Sequence, residues 1–241
     1  MKILSPVLCL LSTGCAELTN VFSKTLPTDG VGSVFCDSDR GDFTYAGGSE
    51  EVFDIQVRAW GAGQSRRQAE GRRDRNTWGA VITDDGLLDL WGRSEDLRAG
   101  TDIAVAGPSV IDVESVLLDG TARLYDVDGF HYITANRIEG SGIQGDVDLY
   151  AALDGIDVEV YPHPGSTIRL EAYGDVVLKL PLGLEYDLEA FPDPGWGAEI
   201  LDLGFDELWM APDYISAVTG SGAIRVEIYV VGGTFFLWSA P

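Results

Sequence analysis

Basic residues, histidine, cysteine and methionine are all scarce in this chain. Its 241 residues include 16 Lys and Arg against 39 Asp and Glu, a formal net charge of −23. That balance opposes nucleic-acid binding, which needs clustered Lys and Arg to displace counterions from phosphate. It also disfavours electrostatic docking on anionic lipid, and leaves cationic partners or plain solvation as its consequences. The two histidines, His131 and His163, are 32 residues apart, and no HxxxH, HExxH or CxxC spacing occurs. A zinc site of the usual ligand spacing is therefore not expected. His131 alternates with Phe130 and Tyr132, whereas His163 stands between two prolines. Neither has a nucleophile beside it in sequence, and there is no GxSxG. The glycines of Gly61-Ala62-Gly63 do not carry the spacing of a dinucleotide loop. No catalytic residue and no cofactor is expected.

What is abundant is alternation. From Ile143 to Phe191 apolar and polar residues exchange places, with Gly, Asp and Pro between the runs. Val147 and Leu149 oppose Asp146 and Asp148. Ile156, Val158 and Val160 oppose Asp157 and Glu159; Ile168, Leu170 and Ala172 oppose Arg169 and Glu171. A period of two means half-buried strands, because successive side chains leave opposite faces. Similar runs span residues 51–60 and 224–230, and Asp84-Asp85-Gly86 is a hairpin signal between two more. Gly-Asp and Asp-Gly pairs recur at separations near multiples of nine to ten residues (119 to 128, 145 to 154, 155 to 174). Short strands at regular spacing predict an all-β sandwich, barrel or solenoid, and periodicity alone does not choose among them. The irregular stretch Trp196–Tyr214 is expected to be core or a cap through Phe205, Leu208, Trp209 and Met210.

One segment departs from strand periodicity. Residues 61–76 hold Arg66, Arg67, Arg72, Arg73 and Arg75 among good helix formers, which predicts a short surface helix from about Ser65 to Asp74. Its arginines either meet an anionic ligand or pair with the acidic body.

The N-terminus, MKILSPVLCLLSTGC, has Lys2 before an apolar run too short to span a bilayer. Leu11-Ser12-Thr13-Gly14-Cys15 resembles the lipobox of bacterial lipoproteins. The resemblance implies removal of residues 1–14 as a signal peptide, acylation of Cys15, and anchorage to a membrane. With Ala16 next, it implies the outer membrane where a cell has two. Ser12 departs from the pattern, which prefers an aliphatic residue there, and an ordinary secretory signal cut near Ala16 is the alternative. Residues 15–30 then read as a tether and 31–241 as one domain. Cys36 is left without a disulfide partner in such a mature chain.

Gly145-Asp146-Val147, Gly174-Asp175-Val176-Val177-Leu178, Leu180-Pro181 and the closing GSGAIRVEIYVVGG look like the candidate adhesin domains of bacteria. The likeness covers roughly Val31 to Leu237. It implies a β-solenoid, a right-handed β-helix-like stack of short strands with one short surface helix, in an envelope protein. No catalytic residues carry over. The expected activity is binding or scaffolding; the alternatives are a polysaccharide-acting β-helix enzyme and an envelope-stress or assembly factor.

Two surface features can serve a partner, which would be an envelope protein or polysaccharide. Tyr150, Tyr161, Tyr173 and Tyr229 share outward parity with Asp148, Glu159, Glu171 and Glu227, and stacking would join them into an aromatic, acidic strip. Strand propensity and cross-strand packing are the alternative explanation. Arg66, Arg67, Arg72 and Arg73 form the second feature. Carboxylate pairs at i, i+2 (Asp37 and Asp39 near Asp42, Asp126 with Asp128, Asp146 with Asp148) raise calcium, although no EF-hand or nonapeptide array is complete. Arg40-Gly41-Asp42 matches an integrin-type tripeptide, and its Gly-Asp also reads as a turn.

Overall fold

A computed structural model describes residues 16–201 and 203–241, with all side chains but those of 49 and 50. The alternating runs become strands. They are β1 (Ala16–Pro27), β2 (Ser33–Ser38), β3 (Phe43–Gly63), β4 (Thr77–Ile82), β5 (Leu87–Arg93), β6 (Ala99–Pro108), β7 (Asp112–Leu117), β8 (Thr121–Tyr125) and β9 (Asp128–Tyr161). Then follow β10 (Thr167–Tyr173), β11 (Val176–Leu180), β12 (Tyr186–Phe191), β13 (Ala198–Ile200), β14 (Glu207–Ala211), β15 (Tyr214–Val218), β16 (Ile224–Val231) and β17 (Phe235–Ser239). The helix α1 (Arg66–Arg73) is bounded by Ser65, whose side chain caps Gln68 N–H, and by Asp74. The described residues are all-β apart from this helix.

Parallel pairing groups the strands into two ladders. The first runs β5–β2–β7–β9 at residues 131–134, and β9 at 147–151 then leads to β10–β16–β12. The second runs from β3 at 43–46 to β8 and β9 at 137–141, and from β9 at 156–159 to β11–β17–β13. One strand from each ladder and the corner between them make a tier. Val113 pairs with His131 and Val147 with Ile168, so a tier is about twice the spacing of the Gly-Asp turns. Buried residues of both ladders form one apolar cluster, including Leu88, Val34, Ile133, Leu149, Leu170 and Ile228 from the first and Tyr45, Leu124, Val158, Leu178 and Leu237 from the second. Each such side chain contributes roughly 1.5–3 kcal/mol relative to exposure.

Corner glycines let the tiers close up. Gly41 has φ +127°, and a Cβ there would stand 2.2 Å from the Thr101 carbonyl oxygen. Gly155 has φ +90°, and its Cβ would stand 2.1 Å from the Asp175 carbonyl oxygen. Only glycine combines that backbone conformation with so near a neighbour. Of the Asp-Gly and Gly-Asp signals, Asp84-Asp85-Gly86 joins the antiparallel pair β4–β5, whereas Asp119-Gly120 carries the chain from one ladder to the other.

One expectation needs correction. Residues 16–27 of the expected tether form β1, paired antiparallel with β3 from Ala16↔Gly63 to Pro27↔Val52. Thr19, Val21, Phe22 and Thr25 suit an extended strand, the long second arm of β3 offers an edge, and Phe22 packs on Trp78 at 5.5 Å. Tier order does not follow sequence order. β2 lies between β5 and β7, and β16 lies between β10 and β12. β6 lies between the two arms of β3, since Tyr45 and Ile55 both pair with Val105.

Candidate binding surface

The outward face of the first ladder collects the aromatics. Register puts Tyr150 beside Glu171, Glu171 beside Tyr229, and Tyr229 beside Phe191 on four neighbouring strands. Phe191 stacks on Tyr229 at 4.9 Å and 7°, and Tyr214 of β15 meets Phe191 at 5.4 Å. Tyr150 and Tyr173 meet edge to face at 6.4 Å. The Arg169 guanidinium sits 5.9 Å from the Tyr229 ring centre, a cation–π distance. Carboxylates flank the rings: Tyr214 donates a hydrogen bond to Glu189 at 3.1 Å, and Arg225 pairs with Glu227 at 2.5 Å.

Three of the four expected tyrosines therefore share this face. Tyr161 does not: it belongs to the second-ladder part of β9, where its hydroxyl donates to Glu159 at 2.6 Å. That carboxylate pushes the phenol's pKa above its ordinary value. Phe191 and Tyr214 were missed. Phe191 continues the parity of Glu185, Asp187 and Glu189, so extending the alternation finds it. Tyr214 lies in the irregular stretch, and only its antiparallel return against β12 brings it to the strip.

The arginine helix is bound to the body. Arg72 donates to the Ala62 carbonyl at 2.6 Å and to Asp96 at 2.9 Å, and Arg75 reaches the same carboxylate at 3.3 Å. A backbone N–H, that of Arg98, is the main cause holding Asp96 below the usual carboxylate range, and Arg72 adds to it. Arg66 pairs with Glu70, and Arg73 with Asp74. Ala69 is buried, and α1 lies so close to β3 that a Cβ on Gly61 would stand 2.4 Å from the Arg73 amide nitrogen. The Gly-Ala-Gly segment is thus a seat for the helix.

Of these carboxylates, Asp37, Asp39, Asp42, Asp128 and Asp146 are engaged within the chain. Asp37 and Asp39 both face Arg93, at 2.5 and 3.6 Å. Asp42 accepts from the Thr121 N–H at 2.9 Å and from Arg123 at 2.8 Å, and Asp146 accepts from the Thr167 N–H at 2.7 Å. Among the described residues no group of three or more His, Cys, Asp or Glu is arranged to hold a metal ion. Arg40 is only 18% exposed and pairs with Asp119 at 2.9 Å, so Arg40-Gly41-Asp42 is a corner and not a projecting loop. It borders a polar cleft of about 380 Å³ with Arg58, Trp60 and Asp102. There Asp102 takes hydrogen bonds from both Arg58 and the Trp60 indole. Arg137, and then Arg123, hold Glu139 below the usual carboxylate range.

His131 is buried. Its Nε2 lies 3.2 Å from the Gln144 carbonyl, which fixes the proton there, and its Nδ1 has no partner among the described residues. Burial lowers its pKa and keeps it neutral. His163 Nε2 lies 2.9 Å from Asp128, and among the described residues no hydrogen bond joins the ring to a hydroxyl. Cys36 is buried, and desolvation pushes its thiol pKa far above the ordinary value, as suits an inert core side chain. Cys15 and the signal-like segment lie outside the described residues, and no helix among these is long and apolar enough to cross a membrane.

Leu208, Trp209 and Met210, expected in the core or a cap, are 47%, 67% and 51% exposed. Among the described residues no further tier covers β14, so Leu208 and Met210, which have the core parity, end at solvent, and Trp209 lies on the other face. Phe205 does pack against the core.

No family model and no curated protein matches the chain. Solved structures do. A candidate cell adhesion protein from Clostridium sporogenes aligns over 92% of this chain and 100% of its own, at 11% identity and TM-score 0.48. A candidate adhesin from Bacteroides fragilis aligns over 90% and 97%, at 10% identity and TM-score 0.30. A candidate lipid binding protein from Parabacteroides distasonis aligns over 91% and 96%, at 10% identity and TM-score 0.26.

Proposed function

We propose that this chain is a non-catalytic binding or scaffolding module of a bacterial envelope, adhesin-like in use and lipid-anchored through Cys15. In this reading the tiers are coils of a β-solenoid, and the outward face of the first ladder is the working surface. The aromatic row carries the reading. Neighbouring strands stand about 4.8 Å apart, and the rings they carry meet at 4.9 Å (Phe191 and Tyr229), 5.4 Å (Phe191 and Tyr214) and 6.4 Å (Tyr150 and Tyr173), so the backbone ladder holds them in place before any ligand arrives. Tyr and Phe contribute broad contact area with few rotatable bonds, and the flanking acids suit the hydroxyls of a polysaccharide or the amines of a protein. An enzyme is the weaker reading, because the described histidines lack a partnered nucleophile and carboxylates such as Asp42 and Asp146 hold guanidinium groups and backbone N–H groups.

The test is co-sedimentation of the full chain with envelope polysaccharide and with envelope protein. Wild type should bind one of them saturably, and Tyr150→Ala/Tyr173→Ala should lose about tenfold in affinity, or 1.4 kcal/mol, with unchanged thermal unfolding. Equal binding by the variant, or release of new reducing sugar ends, would overturn the proposal.

A further inference from the structure

The end of the first ladder at β14 has a second exposed surface, the strand edge beyond Tyr214 of the aromatic row. β14 pairs with β15 from Glu207↔Val218 to Ala211↔Tyr214, and among the described residues it has no other strand partner. Leu208 stands opposite Ala217 and Met210 opposite Ile215, whose side chains are buried. Leu208 and Met210 therefore continue the core onto an uncovered edge, and Trp209 projects from the opposite face. An apolar strand edge with no charged or prolyl residue among these three is a ready template for one more strand.

The charge around it selects the occupant. From residue 181 to the C-terminus the sequence has ten Asp and Glu and one basic residue, Arg225. A second copy brought edge to edge would set Asp206, Glu207 and Asp213 against their own counterparts. Anionic lipid is disfavoured for the same reason. A segment alternating apolar residues with Lys or Arg satisfies both features, its apolar side chains covering Leu208 and Met210 and its cations meeting the acidic rim. We infer that β14 accepts an extended cationic segment of a partner protein as an added strand, the mode in which main-chain hydrogen bonds give affinity and alternate side chains give specificity.

The probe is a blocked peptide of alternating Leu and Lys, titrated into the full chain and followed by calorimetry and by amide NMR shifts. Binding should perturb the amides of 207–211 and weaken with salt. Leu208→Ser/Met210→Ser leaves the charge unchanged and replaces only exposed side chains. It should keep the wild-type melting curve and lose about tenfold in affinity. The proposal would be overturned by equal binding by the double variant, by equal binding of a scrambled Leu/Lys peptide, or by an Asp206–Ala211 edge already covered in a dimer seen by light scattering. Burial of Trp209 by phosphatidylcholine vesicles in place of the peptide would assign the surface to lipid and refute it too.

Discussion

Asp146, at a corner of one tier, accepts the backbone N–H of Thr167 in the next tier at 2.7 Å. The same relation joins Asp42 to Thr121 at 2.9 Å, Asp112 to Phe130 at 2.8 Å and Asp175 to Thr234 at 2.8 Å. A carboxylate at a tier edge thus satisfies an amide that the strand ladder leaves open, which gives the recurring Asp a structural role.

Removing such a carboxylate should destabilise according to how many donors it serves. Asp42 also holds Arg123, so Asp42→Ala should cost about 1.5–3 kcal/mol, and the exposed Asp146→Ala about 0.5–1.5 kcal/mol. Asn at position 146 should recover most of the loss, because an amide oxygen still accepts. Urea midpoints at unchanged slope check this; equal losses at the two sites would contradict it.

Glycines of two kinds should respond with opposite sign. Gly155→Ala meets a carbonyl oxygen and an unfavourable φ, and should cost at least about 1–3 kcal/mol. Gly71→Ala, in an exposed turn of α1 with open space where its Cβ would go, should stabilise by about 0.5–1 kcal/mol. Thermal unfolding of the two variants separates these outcomes.

His131 should make part of the stability pH-dependent. Burial depresses its folded-state pKa, so below its ordinary value near 6.5 the unfolded chain binds a proton that the folded chain refuses. Its contribution is present above about pH 6.5 and is lost as pH falls through that value, by at most about 1.4 kcal/mol per unit. The neighbouring Asp112 and Asp128 oppose the shift without reversing it. His131→Leu should lose less stability than wild type between about pH 7.5 and pH 5, as measured by urea unfolding at both values. Parallel losses would contradict the buried neutral ring.

Cys15→Ser should move the protein out of the membrane fraction, since acylation requires that thiol. Unchanged fractionation would refute lipidation.

Much of the core was legible in the sequence, because alternation reports which side of a strand faces inward wherever that strand lies. Val147, Leu149, Ile156, Val158, Ile168 and Leu170 are buried as the period-two reading expects. The helix was equally legible, through the Ser65 cap and the run of helix formers after it. Corner glycines announced themselves by their pairing with Asp. Of the candidate surface, the parity of Tyr150, Tyr173 and Tyr229 was legible, while the separation of Tyr161 onto the other ladder was not.

Local pattern determined turns, the helix and which side of a strand is apolar, because each depends on neighbours a few residues away; whether that side is covered was a tertiary matter, as the exposed Leu208 and Met210 show. Tertiary structure alone decided tier order. Strands with the same period and the same Val, Ile and Leu faces are nearly interchangeable as partners, so nothing local tells β2 to lie between β5 and β7 or β16 between β10 and β12. The stacking of Phe191 on Tyr229 follows from the second of those choices. So does the edge at β14: β15 pairs with β12, the strand that β16 leaves at the end of the ladder, and β14 lies beyond it with Leu208 and Met210 uncovered.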